Sequence, residues 1–289
     1  PGTIHLADGT YSPSINNEYF PLGGKDYVSI SGESQDSTIL NGDSLASIFY
    51  FEDNGDITIS DLTVTNGYTF SRGGGIAVEN TNIVINNITV SHNVVEQTGF
   101  GGGIYISSDS KINTNNCIID NNSSDYRGGG INIAEGNHNN NNTFVNTIFS
   151  NNSAHDGGGL MAMSAYITVE SSIFDSNTAE GEAGGLYCGS DTIKIDNSLF
   201  INNYAPSNGG GIKYYDSNSD PWKFSIINST IANNSQGITV EGIDLRLINS
   251  IVYDNDQYNV SGSYTSYNSL YDQSEAPPLF ADTANGDYH

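Results

Sequence analysis

A histidine and an aspartate stand side by side at His155 and Asp156, and three glycines follow them in NNSAHDGGGL, Asn151 to Leu160. These types suit two chemistries. A His–Asp pair moves protons, and a glycine loop opens backbone amides to a phosphate. Three further groups could do chemistry. Asp216 and Asp220 are near enough for a carboxylate pair of the kind that cleaves glycosides. Lys213 and Lys223 are the two basic residues closest together in the C-terminal half, and a lysine can act as a base on a uronate. Cys117 and Cys188 are the two thiols.

The glycine stretch is not unique, and that decides how it is read. SRGGGI, GFGGGI, YRGGGI, EAGGL, SNGGGI and the degenerate SQGI close on Ile76, Ile104, Ile131, Leu186, Ile212 and Ile238, with Leu160 from the first stretch among them. The steps are 26 to 29 residues. A second signature alternates with it: DLTVTNG, NITVSHN, NCIIDNN, NTIFSNN, SSIFDSN, NSLFINN, NSTIANN and NSIVYDN. Self-similarity at this period marks a repeat architecture. His155 and Asp156 then fall where other coils carry Tyr126 and Arg127, or Glu182 and Ala183, so HDGGG reads as a corner. A P-loop would also need Lys-Ser/Thr after its glycines.

The positioning elements are strands. In NSLFINN the first and third residues after the leading Asn carry the apolar face, and the third column reads Val64, Val90, Ile119, Phe149, Phe174, Phe200, Ile231, Val252. Period-2 patterning between Gly and Asn clusters marks strands and turns. A 26-to-29-residue unit of two or three short strands, without helix, is one coil of a β-solenoid. Glycine serves its sharp corners. The asparagines Asn87, Asn116, Asn146, Asn197, Asn228 and Asn249 are expected to form a ladder along one corner. Phe149, Phe174 and Phe200 are expected to stack inside.

Composition bounds the partners. Among 289 residues, 33 are acidic and 8 basic, a net charge of −25. That excludes a nucleic-acid surface and opposes an anionic membrane face. No run of 18 apolar residues is present to span a bilayer. The chain opens at Pro1 with no leader, so a fragment or a processed product is expected. Cys117 and Cys188, two coils apart, are too distant for a disulfide and read as buried thiols. Sequons such as Asn87-Ile88-Thr89 fall inside the repeat and read as repeat positions. Calcium suits the acidic surface, but no EF-type loop or calcium-binding nonapeptide places it.

The GGGI and FxxN rhythm resembles the right-handed parallel β-helix repeat proteins of bacterial surfaces, among them polymorphic outer-membrane proteins and, more widely, pectate-lyase-like folds. GTIHLADGTY resembles their usual entry and PPLFADTANGDYH their closing segment. The resemblance implies one elongated all-β domain over residues 1–289: less regular coils at 1–60, regular coils at 61–255 and a closing segment at 256–289. It implies secretion or display at the bacterial cell surface. It leaves function open among lyases, hydrolases, adhesins and uncharacterised surface proteins; open strand edges with no evident capping helix add a third reading, a stalk or filament subunit that associates end to end.

Spacing irregularities suggest a site. Two coils carry extra residues at one corner, EGNHNNNN near His138 and DSNSDPW ending at Trp222. The expectation is that Asn137–Asn142 and Asp216–Trp222 rise on one side as walls. Met161–Tyr166 and Tyr187–Asp191 would form a shallow floor between them. Tyr187, Tyr215 and Trp222 would stack on sugar rings, with His138, Asp191 and Lys213 as polar partners. The main reading is therefore an adhesive or carbohydrate-binding module without catalysis, its partner a polysaccharide or cell-surface glycan. The alternatives are a lyase or hydrolase near the same insertions, and a filament subunit.

Overall fold

The computed structural model describes residues 2–24, 28–138, 140–189, 191–216 and 223–270. The chain winds as a parallel β-solenoid of about 10 turns. One coil shows the plan: strands Ile131–Ile133, Asn141–Val145 and Ile148–Ser150, followed by the marginal strand Ser153–Asp156. Each strand pairs in parallel register with its equivalent one repeat later. Ile104, Ile131, Leu160, Leu186, Ile212 and Ile238 form one such row. The one described helix is a single turn, Pro13–Asn16.

The alternation seen in the sequence selects the core. The residue three after each corner asparagine points inward, and Phe149, Phe174 and Phe200 are fully buried. Their rings stack with centroids 4.4 Å apart and interplanar angles of 9° and 6°. That separation is close to the inter-strand spacing, so identical side chains in identical rotamers pack face to offset face. Cys117 and Cys188 are both free and buried.

The asparagine ladder requires a correction. Asn87, Asn116, Asn146, Asn197, Asn228 and Asn249 do line one corner, each in the left-handed conformation with φ between 46° and 54°. Asn tolerates that conformation at a small cost. These residues are exposed, and their amides pair only in places, as from Asn87 Nδ2 to Asp61 Oδ1. The continuous ladder is six residues further on, at the last position of each motif from NITVSHN to NSIVYDN. Asn93, Asn122, Asn152, Asn177, Asn203, Asn234 and Asn255 are all buried. In each step the backbone N and Nδ2 of one donate to Oδ1 of the next, as from Asn152 to Asn177 at 3.1 and 2.9 Å. Each Nδ2 also donates to a core-strand carbonyl, as from Asn177 to Phe149 O at 2.9 Å. A buried amide must satisfy all its groups, and only a column aimed inward at the sharp corner can do so.

The glycine corners are built the same way. The first glycine takes positive φ, at Gly73, Gly101, Gly128, Gly157 and Gly209. A side chain on the second would strike the next coil; a Cβ on Gly102 would lie 2.4 Å from Ser123 O and from Gly129 O. In EAGGL the first place is taken by Ala183, with φ 59°. The true equivalent of Asp156 is therefore Glu182, one residue earlier than a plain count of glycines places it. The hydrogen bond from Gly157 N to Glu182 O confirms the register.

Candidate functional site

The residue just before each glycine corner stands on a rim. Arg72, Phe100 and Arg127 pair in parallel register along it, Asp156 follows Arg127, and Glu182 pairs with Asn208. The next strand forms a floor. Its second residue faces away from the core: Ala77, Tyr105, Asn132, Met161, Tyr187, Lys213, Thr239. These side chains are largely covered because the rim overhangs them.

Two adjoining cavities make a groove between rim and floor. One, of about 480 Å³, is lined by Tyr50, Tyr68, Phe70, Arg72 and Glu79 among others. The second, of about 250 Å³, is lined by Arg72, Phe100, Tyr105, Arg127, Asn132, Glu135, Met161 and Met163. Arg72 lines both, so the two cavities adjoin along the solenoid axis, with Tyr50 and Met163 at their outer ends. Those ends are four coil steps apart, roughly 19 Å at the spacing of adjacent strands.

Charge within the groove is arranged in pairs. Arg72 lies 3.0 Å from Glu79 and Arg127 lies 3.0 Å from Glu135. The Arg72 guanidinium also sits over the Tyr105 ring at 5.0 Å and Arg127 over Tyr126 at 5.0 Å, a cation–π geometry. Phe100 meets Tyr126 edge-on at 5.4 Å. Burial, with the charges of Glu79 and Glu52 beside it, pushes the Tyr50 phenol up to about 12. Burial likewise raises Tyr105, the nearby Arg72 offsetting part of the effect. Both phenols remain donors at neutral pH.

Beyond the groove, the same two columns hold a charged cluster. Lys213 is 5% exposed; its Nζ lies 2.5 Å from Glu182 Oε1 and 3.4 Å from Glu241 Oε1. Asn208 Nδ2 donates to Glu182 Oε1 at 3.0 Å and Tyr187 Oη to Oε2 at 3.2 Å. Burial alone would raise the Glu182 carboxyl, but the hydrogen bonds from Lys213, Asn208 and Tyr187 and the Lys213 charge bring it below its usual range. Burial and the Glu182 charge push the Tyr187 phenol well above its ordinary value.

The residues singled out from sequence thus divide. Tyr187 and Lys213 belong together, but not on an open floor: the rim residue Glu182 covers and neutralises Lys213. His138 and Asp191 form a second pair, Nδ1 to Oδ2 at 2.6 Å. The Asp191 side chain is 12% exposed, so its carboxylate is occupied by His138 instead of facing sugar hydroxyls. Tyr215 is exposed near the end of its strand. Trp222 lies outside the described residues, as do Asp220 and most of the second insertion. The first insertion is divided: His138 and Asn141 are exposed, while other members turn in. Asn137 and Asn142 are fully buried, and Asn137 Nδ2 donates to the Ser107 and Ser110 carbonyls of the preceding coil. Side-chain amides there find backbone acceptors, so Asn137 and Asn142 fold inward. His155 and Asp156 lie 3.3 Å apart on the rim, and Asp156 Oδ1 accepts from Glu182 N. Among the described residues, no three His, Cys, Asp or Glu side chains converge as a metal site.

Arg72, Phe100, Arg127 and Glu182 were not picked out from sequence. A signal existed: each immediately precedes a glycine corner, the position already noted for Asp156, and reading that column down the repeat collects them.

Residues 99–242 match the sequence model of the right-handed β-helix region. No curated protein matches the sequence significantly. Among solved structures, the chain is similar to the A-module of mannuronan C-5 epimerase AlgE6 from Azotobacter vinelandii. The identity is 14% and the TM-score 0.43, over 96% of this chain and 91% of that one. It is similar to the catalytic domain of a GH87 alpha-1,3-glucanase in complex with tetrasaccharides, at 15% identity and a TM-score of 0.42. That match covers 93% of this chain and 65% of the glucanase, so the chain spans slightly less than two thirds of its length. A mannuronic acid specific polysaccharide family 6 lyase from human gut microbiota is similar at 11% identity and a TM-score of 0.35, over 91% of this chain and 77% of that one. These likenesses concern the fold.

Proposed function

We propose that this right-handed β-helix is a secreted or surface-displayed module that binds an extended polysaccharide along its outer groove without turning it over. The observation that carries the reading is the pair of adjoining cavities from Tyr50 to Met163, lined by aromatic rings and two Arg–Glu pairs. Sugar rings pack their apolar faces on aromatic side chains, and guanidinium and carboxylate groups match paired hydroxyls. A rigid stack holds these groups in place before the ligand arrives, which reduces the ordering cost of binding.

The protonation pattern of the charged cluster argues against catalysis there. A glycosidase acid needs a carboxyl held above its usual range, whereas Glu182 is held below it. A phenolic base needs a lowered pKa, whereas Tyr187 is raised. The second reading, a polysaccharide lyase or hydrolase, draws on the covered Lys213 and Tyr187 standing on the same floor column as Tyr105. One experiment separates the two: a glycan array for binding, run with reducing-sugar and unsaturated-product assays on every glycan retained. Retention without product supports the module. Turnover of a retained glycan establishes the enzyme, and an array with no retained glycan removes both.

A further inference from the structure

The groove has a period, and the period is two coils. Arg72 and Arg127 occupy one rim column with Phe100 in register between them. Each arginine reaches a carboxylate at the end of its own coil's floor strand or just beyond it, Glu79 and Glu135. Small or polar floor residues belong to these two coils, Ala77 and Asn132. The coil between offers Phe100 and Tyr105 instead, and the coil before Arg72 offers Tyr50. Counting these rim and floor residues alone, the order along the axis is aromatic, ion pair, aromatic, ion pair; Tyr68 and Phe70 of the Arg72 coil add rings outside those two columns. Like chemistry returns every second coil, roughly 10 Å, twice the spacing of adjacent strands.

A linear glycan that repeats in two residues returns its own chemistry on this length scale. In a β-1,4-linked chain of flat ribbon form, successive rings are flipped, and one disaccharide brings back the same face. A glycan that coils as a helix does not keep step with a straight groove. Charge selects further. Each groove arginine is already neutralised by a glutamate, the Tyr50 and Tyr105 phenols stay protonated, and the chain carries −25 overall. A polyuronate would have to displace Glu79 and Glu135 against that field, whereas hydroxyls can bond to both members of each pair. Resting on the carbohydrate-binding reading above, we infer that the groove takes an uncharged, ribbon-like β-1,4-linked glycan, one disaccharide per two coils.

The test is calorimetric titration of the whole chain with hexasaccharides. Cellohexaose and β-1,4-mannohexaose represent uncharged ribbons, maltohexaose and laminarihexaose uncharged helical chains, and hexamannuronate and hexagalacturonate the acidic chains. At least one ribbon is expected to bind about tenfold or more tighter than every helical or acidic chain. Its affinity should change less than about twofold on raising salt to about 0.5 M, since no net charge is exchanged. Arg72→Gln, Arg127→Gln and Phe100→Ala should each weaken it about tenfold, while Lys194→Gln, away from the groove, leaves it unchanged. Thermal melts verify that the variants fold. Tighter binding of a helical or acidic chain overturns this inference and leaves the carbohydrate-binding reading standing. So does ribbon binding that is indifferent to all three groove variants. Failure of every glycan on the array and in titration overturns both.

Discussion

Lys213 Nζ lies 2.5 Å from Glu182 Oε1, on a lysine that is 5% exposed. The two residues come from neighbouring coils, one on the floor and one on the rim, so the pair ties the overhanging rim to the strand beneath it. Removing the lysine leaves Glu182 partly desolvated without its counter-charge, held only by Asn208 and Tyr187, which costs more than the pair contributes.

Lys213→Met should therefore destabilise the chain by about 2 kcal/mol at pH 7. The sign of the pH dependence follows from the lowered Glu182 carboxyl. A depressed folded-state pKa contributes stability above the unfolded carboxylate value, about 4.3, and that contribution is lost as pH falls through the folded value. The gap between native and variant in urea melts should thus be widest near neutrality and narrow below about pH 4. A gap of equal size at pH 7 and pH 3 would show that Glu182 does not gain from Lys213.

The two asparagine columns should respond to very different degrees. Asn177→Ala removes the acceptor of Asn152 N and Nδ2 and the donor to Phe149 O and Asn203 Oδ1, all in a buried column. Several orphaned groups at once should cost about 3 kcal/mol or more. Asn146→Gly, six residues before a ladder member, replaces an exposed left-handed residue by one that enters the same conformation freely. It should change stability by less than about 0.5 kcal/mol. Equal losses for both substitutions, measured by chemical denaturation, would mean that the corner column bears as much of the fold as the ladder.

Much of this was legible in the sequence because the repeat reports local geometry. The column Phe149, Phe174, Phe200 and the glycine corners are fixed by period-2 alternation and by sharp turns, and both leave their mark on residue type. Where a motif holds both asparagines they look alike on paper, since a left-handed corner and an inward amide both favour Asn. Only burial separates Asn146 from Asn152. The groove was less legible because the rim residues Arg72, Phe100, Arg127 and Glu182 differ in type from coil to coil, so only their shared place before the corner, and no pattern of residue type, gathers them. The insertions drew attention by length, yet length does not tell whether extra residues rise outward or fold in. Asn137 and Asn142 fold in because backbone carbonyls of the adjoining coil await them.

Ser171 breaks the corner pattern. It holds φ 50° where neighbouring coils place Asn146 and Asn197, and serine pays more than asparagine for that conformation. Ser171→Asn should stabilise the chain by a few tenths to about 1 kcal/mol. The new amide would stand between those of Asn146 and Asn197, the latter of which now donates to Ser171 Oγ at 3.1 Å. A fall in midpoint denaturant concentration would contradict this account of the corner.

The final prediction separates packing from recognition at Tyr105. Its ring lies at the groove floor, 6.4 Å from Phe100 and under the Arg72 guanidinium at 5.0 Å. Tyr105→Phe keeps the ring and removes the phenol, whose raised pKa keeps it a donor at neutral pH. Stability should then change by less than about 1 kcal/mol, while glycan retention falls by about tenfold if the hydroxyl bonds the ligand. Tyr105→Ala opens a cavity in a covered face and should cost about 3 kcal/mol as well as retention. Comparing the two on one affinity column decides what the residue does. If the Phe variant binds as the native chain does and the Ala variant fails only in proportion to its unfolding, Tyr105 is a packing residue, and recognition rests on Phe100 and the two Arg–Glu pairs.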